Sequence, residues 1–132
     1  MTSGTAITGT LLREFTELTQ VVPQSLIKAG ALPDNVTLPA ILVRTVSSTE
    51  RQPLKRGPTS RTTDRVAVTV RAANYRDQVA VIKLIKDCCA GKTGDIGGGQ
   101  NVSILTAGTG PDVRGPGDSF EQTQDFRVSY DA

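Results

Sequence analysis

The chain has 132 residues, a formal net charge of +2, a hydrophobic content of 37% and no histidine. This length fits one domain with its own core, so we expect a single domain over 1–132, and the hydrophobic content excludes a chain that is disordered throughout. The lack of histidine removes the usual general base and the commonest metal ligand.

Residues 10–22 are predicted to form the first helix, because apolar residues recur there at spacings of four, three and four. Thr10 fits the N-cap and Pro23 ends the pattern. Residues 24–39 are rich in turn formers, with a short apolar piece at Leu26 and Ile27 that could form a small strand. The apolar residues of the helix are Leu11, Phe15, Leu18 and Val22.

Two strands are predicted next, over 40–47 and 64–72. The second is the clearer one, because Val66, Val68 and Val70 alternate with other residues. Residues 48–63 between them are polar and contain prolines and a glycine, which argues against a core strand. We therefore predict one long hairpin whose arm, 48–63, protrudes from the domain.

This arm and its flanks are basic, with six positive side chains between Arg44 and Arg65 against Glu50 and Asp64. Such a segment fits an acidic protein partner or a phosphate backbone, and a solvated hairpin tip is the simpler alternative. It has no aromatic residue on which a base could stack. The candidate partner-contact residues of the arm are Arg51, Lys55, Arg56 and Arg61.

A second helix is predicted over 74–90, with Asn74 as N-cap, Asp77 in the first turn and Gly91 after the end. Its apolar face is wider than a helix lying on one sheet requires. The excess either packs under the amino-terminal helix or faces a neighbouring subunit. In the second case the candidate subunit-interface residues are Val81, Leu84, Ile85 and Cys88.

The remaining chain is predicted to contain a glycine-rich turn over 92–101, a strand over 102–106, a Gly/Pro-rich loop over 107–119 and a final strand over 120–130. The element order is then α-β-β-α-β-β. Hairpins with one intervening helix favour an α+β domain, with a mainly antiparallel sheet and helices packed on one face.

No motif indicates catalysis or ligand binding. Residues 90–93 are similar to the end of a phosphate-binding loop, but Lys86 stands where its first glycine is needed. Cys88 and Cys89 are adjacent, which suits helix packing in a reducing cytoplasm better than a disulfide. We therefore expect no enzyme activity, metal or cofactor. We also expect the scattered carboxylates to be solvated at the surface. These are Asp64, Asp77, Asp87, Asp95, Asp112, Asp118, Glu121 and Asp125.

No apolar run approaches the roughly 20 residues that span a membrane, and no signal peptide is visible, so we expect no membrane association. The stretch 38–130 resembles the tail-completion, or tail-terminator, family of long-tailed (siphovirus-type) bacteriophages and prophages. The resemblance has no catalytic signature and follows strands and a helix. Its segments are Leu38–Ile41, Thr63–Val70, Ala73–Tyr75, Ile82–Lys86, Gly91 and Phe126–Tyr130.

The resemblance implies a structural virion protein that assembles in the host cytoplasm into a homo-oligomeric ring, usually a hexamer, at the head-proximal end of the tail tube. The ring would end tube polymerisation and join the tail to the head connector. Its partners would be further copies of itself, the tail-tube protein and the head–tail connector protein, with non-specific DNA contact in the lumen compatible with this position. The alternatives are another neck ring protein, such as an adaptor or head-closure protein, and a nucleic-acid-binding module.

Overall fold

The computed structural model describes residues 2–51, 54 and 60–131. These residues form a mixed α+β fold dominated by one mainly antiparallel sheet, with three helices. Short 3-10 turns lie at Gln24–Leu26 and Pro116–Asp118. The elements are α1 Gly4–Glu14, α2 Thr16–Thr19, β1 Ile27–Ala29, β2 Ala40–Arg51, β3 Arg61–Ala72, α3 Tyr75–Cys89, β4 Thr93–Ile96, β5 Gly99–Thr109, β6 Val113–Arg114 and β7 Phe120–Asp131.

The strands lie in the order β1-β2-β3-β7-β5-β4, with β6 beside one end of β7. The described pairs are antiparallel, apart from β1 and β2, which are parallel. The two central strands, β3 and β7, pair along their whole length, from Arg61 opposite Asp131 to Ala72 opposite Phe120. This long central pair is the frame on which the other elements are placed.

The helices cover one face of the sheet. Side chains alternate between the two faces of a strand, so Val66, Val68 and Val70 of β3 point to the same side as Phe126 and Val128 of β7. All five are buried and belong to one core with residues of α1 and α3. No helix of the described chain covers the opposite face, which we call the open face.

The first helix begins six residues before the predicted N-cap. Ser3 is the N-cap, and its side chain accepts a hydrogen bond from the Ala6 amide at 3.1 Å. Thr10 lies inside the helix, where its hydroxyl donates to the Ala6 carbonyl oxygen. The predicted start was wrong because the apolar stripe extends one turn further back, to the buried Ile7. The helix is also interrupted at Phe15, before the short α2.

The second predicted helix is close to the observed α3. The Asn74 side chain accepts a hydrogen bond from the Asp77 amide at 2.9 Å, which satisfies a free donor of the first turn. Gly91, just beyond the end, has φ +77°, a conformation that glycine adopts at little cost. Both ends therefore follow from short-range signals in the sequence.

The strands are longer and more numerous than predicted, so the order α-β-β-α-β-β is too simple. β2 and β3 continue into the predicted arm and pair as far as Arg51 opposite Arg61. The region 92–101 contains β4, and 107–119 contains the end of β5 and all of β6. Polar side chains do not prevent this, because ladder hydrogen bonds satisfy the backbone regardless of what the side chains are.

Candidate interaction surfaces

A buried carboxylate joins the amino-terminal helix to the base of the arm. Asp64 of β3 is 3% exposed and lies on the helix-covered face. Its Oδ2 accepts hydrogen bonds from the Gly4 amide at 2.8 Å and from the Tyr130 hydroxyl at 3.0 Å. Its Oδ1 accepts a hydrogen bond from the Ser48 hydroxyl. One side chain therefore holds together α1, β2 and β7.

The surroundings of Asp64 explain how a carboxylate is tolerated in the core. It lies at the N-terminus of α1, where the helix dipole favours negative charge, and its two oxygens accept hydrogen bonds from three donors. Burial, together with the bond to Asp64, raises the pKa of Tyr130 to about 12. The prediction that Asp64 is a solvated surface carboxylate was wrong.

The four candidate residues of the arm have different environments. Arg51 is exposed at the end of β2. Arg61 faces it but is engaged within the chain, because its guanidinium donates to the Asn101 carbonyl oxygen at 2.7 Å and pairs with Asp131 at 3.2 Å. Lys55 and Arg56 lie outside the described residues. Among the candidate residues that the structure describes, Arg51 is therefore the one whose side chain is exposed.

The open face carries a ladder of polar pairs between β3 and β7. Arg71 contacts Glu121 at 2.7 Å and Arg65 contacts Asp125 at 2.8 Å. One hydroxyl pair, Thr69 with Thr123 at 2.8 Å, lies between these two ion pairs, and a second, Thr63 with Ser129 at 3.0 Å, lies on the other side of Arg65. Cross-strand pairs of this kind stabilise a sheet in water, so this face does not need a helix above it.

The charge of the open face is unbalanced. Three of its arginines pair with carboxylates, whereas Arg44, Arg51 and Arg127 are exposed and have no ion-pair partner within the described chain. The register places Arg127 directly opposite Arg65, so like charges accumulate at the centre of the sheet. The open face is therefore a basic surface. Its charged residues are Arg44, Arg51, Arg61, Arg65, Arg71, Arg127, Glu121, Asp125 and Asp131.

The predicted subunit-interface residues of α3 lie mostly in the core. Val81 and Ile85 are fully buried and Cys88 is 2% exposed, which corrects the prediction for these three residues. Leu84 is partly buried and packs against the same core. The wide apolar face is explained by the other alternative, because α1 lies against α3 and the Cys88 thiol donates to the Leu11 carbonyl oxygen at 3.3 Å.

The adjacent cysteines are free thiols in the core. The hydrogen bond with Cys88 and burial both raise the pKa of the Cys89 thiol. A thiol with a raised pKa stays protonated at neutral pH and is a poor nucleophile. Cys89 therefore has the properties of a packing residue, in agreement with its place in the hydrophobic core at the end of α3.

Glutamine side chains hold the segment 107–119. Gln124 is 1% exposed; its amide donates to the Gly108 carbonyl oxygen at 3.1 Å and its oxygen accepts from Thr109. Gln122 donates to the Gly110 carbonyl oxygen at 3.0 Å. Gln78 of α3 donates to Asp112 at 2.8 Å. The predicted loop is therefore fixed against the sheet and α3 along its first half.

The described residues include no group of three or more His, Cys, Asp and Glu side chains that could hold a metal ion. In the same part of the chain, no helix is both long enough and apolar enough to cross a membrane.

No protein-family model and no curated protein matches the chain. A solved structure does share its fold. A chain of a particle described as "Virion of native gene transfer agent (GTA) particle" superposes with a TM-score of 0.71. The match covers 98% of this chain and 96% of that chain, at 14% sequence identity. At this identity the comparison establishes the fold, over essentially the full length of both chains.

The Asp64 cluster was missed by sequence reasoning, although a signal for it exists. Asp64 is two residues before Val66 in a strand whose alternate residues were predicted to face the core, so strand period alone places its side chain inside. Ser48 gave no such signal, because its direction depends on a bulge between Thr45 and Ser47. Gln78 of α3 gave no signal either, because a glutamine on a helix is expected in water, yet it is fully buried.

Proposed function

We propose that this chain is a structural, non-enzymatic subunit of a phage-like particle, and more specifically a tail terminator. In this role, copies of the chain form a ring, a hexamer by family resemblance, on the last ring of the tail tube. The observation that carries the proposal is the shared fold with a chain of the gene transfer agent virion, which spans nearly all of both chains.

The structure supports a role through shape. The subunit has one hydrophobic core, and the long central strand pair extends from this core to the base of the arm at Arg61. Its open face is basic, and Arg51 at the end of β2 is exposed. An acidic protein surface or the phosphate backbone of DNA in a lumen would complement such a face.

The proposed mechanism is steric. A tube grows because each ring presents a docking surface for the next, so a ring of different subunits that binds this surface stops growth. The opposite side of the terminator ring then differs from the tube and offers a distinct surface to the head connector. A ring requires a heterologous interface whose rotation closes, with a different patch on each side of the subunit.

The test is to purify the chain, mix it with its cognate tail-tube protein and image the products. We expect closed rings of the chain alone, by electron microscopy and native mass spectrometry, and tubes capped at one end in the mixture. Growing tubes should stop lengthening when the chain is added, and an equal amount of unfolded chain is the control.

A chain that stays monomeric at all concentrations and leaves tube length unchanged would contradict the proposal. Rings that bind the head connector but ignore the tube would instead assign the chain to an adaptor or head-closure position. Binding to duplex DNA without any ring would favour the nucleic-acid-binding alternative.

A further inference from the structure

One edge of the sheet is open along most of β2. The short β1 pairs only with Ile41–Val43. From Arg44 to Arg51, no described strand lies on the outer side of β2, and every residue of this stretch is exposed. An open edge presents backbone N–H and C=O groups that can pair with another strand, and native proteins usually shorten or cover such edges.

The opposite edge of the same sheet is open at the end of β5. β4 pairs with the first part of β5, as far as Ser103. Hydrogen bonds from Gly91 to the Ile104 carbonyl oxygen and from Ile104 to the Lys92 carbonyl oxygen extend this cover by one residue. Beyond it, Leu105–Thr109 has β7 on one side and no described strand on the other.

We propose that these two edges join copies of the chain: β2 of one copy, along 44–51, accepts the end of β5, along 105–109, from the next copy. The sheets of neighbouring subunits then form one continuous sheet, a mode of association known as β-augmentation. This inference rests on the proposed function for the closure of the ring, while the seam itself is argued from the strands.

The direction of the strands fits this seam. β2 is antiparallel to β3, β3 to β7, and β7 to β5, so β2 and β5 run in opposite directions within one subunit. Two copies placed side by side in the same orientation therefore bring β2 of one beside β5 of the other as an antiparallel pair. A cyclic ring whose axis is close to the strand direction keeps this orientation at every interface.

The side chains at the two edges also fit. Val46 on β2 is 52% exposed and Leu105 on β5 is 58% exposed, so each edge carries one large apolar side chain that the subunit itself leaves in water. The register places Leu105 opposite Arg127, on the open face, and Val46 lines a groove on that face together with Arg44 and Arg65. Pairing of the edges would bury both apolar side chains at one side of the seam.

A symmetric seam between two β2 edges is less favourable. Antiparallel pairing of the stretch 44–51 with a copy of itself, centred on its middle, places Arg44 of each copy opposite Arg51 of the other. Like charges directly opposite each other destabilise a strand pair. The end of β5, Leu-Thr-Ala-Gly-Thr, carries no charge, so pairing β2 with β5 avoids this repulsion.

The test uses single cysteines at the two edges. Val46→Cys and Leu105→Cys chains are assembled as a mixture and treated with a bismaleimide of about 10 Å reach, roughly two strand spacings. We expect a covalent dimer in the mixture and none in either variant assembled alone. The native Cys88 and Cys89 are buried, and the same treatment of the natural chain measures any cross-linking that they contribute. A mixture of Val79→Cys with Val46→Cys is the matched control, because Val79 is exposed on α3.

The outcomes separate the seam from the function. Rings without a mixed dimer, or with dimers of Val46→Cys alone, would overturn the seam and leave the terminator proposal standing. Mixed dimers in open filaments would support the seam and contradict the ring. A chain that stays monomeric at all concentrations overturns both.

Hydrogen exchange on the unmodified chain gives a second measurement without any substitution. We expect amide exchange over 44–51 and 105–109 to slow at least tenfold on assembly. Unchanged exchange over both segments in assembled rings would also overturn the seam.

Discussion

The amide nitrogen of Gly4 donates to Oδ2 of Asp64 at 2.8 Å, across 60 residues of sequence. The two residues are so close that a Cβ atom added to Gly4 would lie 2.7 Å from the Cβ of Asp64 and 2.8 Å from Val66 Cγ2. The first turn of α1 is therefore seated directly on β3, and glycine is the residue that allows this approach.

Gly4→Ala should destabilise the protein by about 1–3 kcal/mol, because the added methyl group meets backbone-anchored atoms that cannot move aside. Gly9→Ala, in the same helix, is the control. Its Cβ would meet only the guanidinium end of Arg13, at 2.8 Å, and alanine is the better helix former by roughly 1 kcal/mol. Urea unfolding of the two variants should give shifts of opposite sign, and equal shifts would disprove the close seating of Gly4.

Tyr130 should make the protein sensitive to alkaline pH. Its pKa is raised to about 12 in the folded state from an ordinary value of 10.0, so the folded chain binds the phenolic proton more tightly than the unfolded chain does. The stability that this provides is complete below pH 10 and is lost as the pH rises through 12. We expect the unfolding free energy of the natural chain to fall over this window more steeply than that of Tyr130→Phe.

At neutral pH, Tyr130→Phe should cost about 1–3 kcal/mol, because Asp64 loses one of its donors. Denaturant titrations from pH 7 to pH 12 measure both effects. Parallel pH curves for the natural chain and the variant would show that the Tyr130 proton does not contribute.

Two arginines that face each other across the arm should behave differently. Arg61→Ala should cost about 1 kcal/mol, because it removes the hydrogen bond to Asn101 and the ion pair with Asp131. Arg51→Ala should change the unfolding free energy by less than about 0.5 kcal/mol, because its side chain is exposed. If Arg51 contacts a partner, its loss should instead weaken binding to the tube or connector protein, measured by co-sedimentation.

The glutamines that hold the segment after β5 can be tested by a matched pair. Gln124→Leu should cost about 1–3 kcal/mol and speed amide exchange over 107–112, because it removes the bonds to Gly108 and Thr109. Gln78→Leu should cost less, since the Gln78 Oε1 atom is buried without a partner and the substitution removes it. A larger effect from Gln78 would mean that its bond to Asp112 is the main attachment.

Short-range signals in the sequence were sufficient for α3 and for the central strands. Asn74, Asp77 and Gly91 mark the ends of a helix through local hydrogen bonds, and the alternation from Val66 to Val70 marks a half-buried strand. The α+β class and the mainly antiparallel sheet followed from these elements. These predictions succeeded because they depend on a few neighbouring residues.

The rest depends on pairing between distant segments. The polar continuations of β2 and β3 form strands because they pair with each other, and their composition alone predicts a loop. The interface prediction for Val81, Ile85 and Cys88 was wrong because the sequence does not show that α1 packs over them. Asp64 can be buried because it accepts hydrogen bonds from donors on three separate elements. No local sequence pattern predicts that these three elements meet.

The bulge between Thr45 and Ser47 has a consequence for comparing this chain with others of the same fold. The extra residue, Val46, reverses the alternation of side chains along β2, so that Ser48 lies opposite Asp64. A version of the chain lacking this one residue would place Ser47 directly after Thr45, still opposite Arg65, and would keep every following side chain on its present side. A one-residue gap in an alignment here would therefore leave Arg51 on the open face, whereas regular pairing of all the residues of β2 would turn Arg51 to the other side.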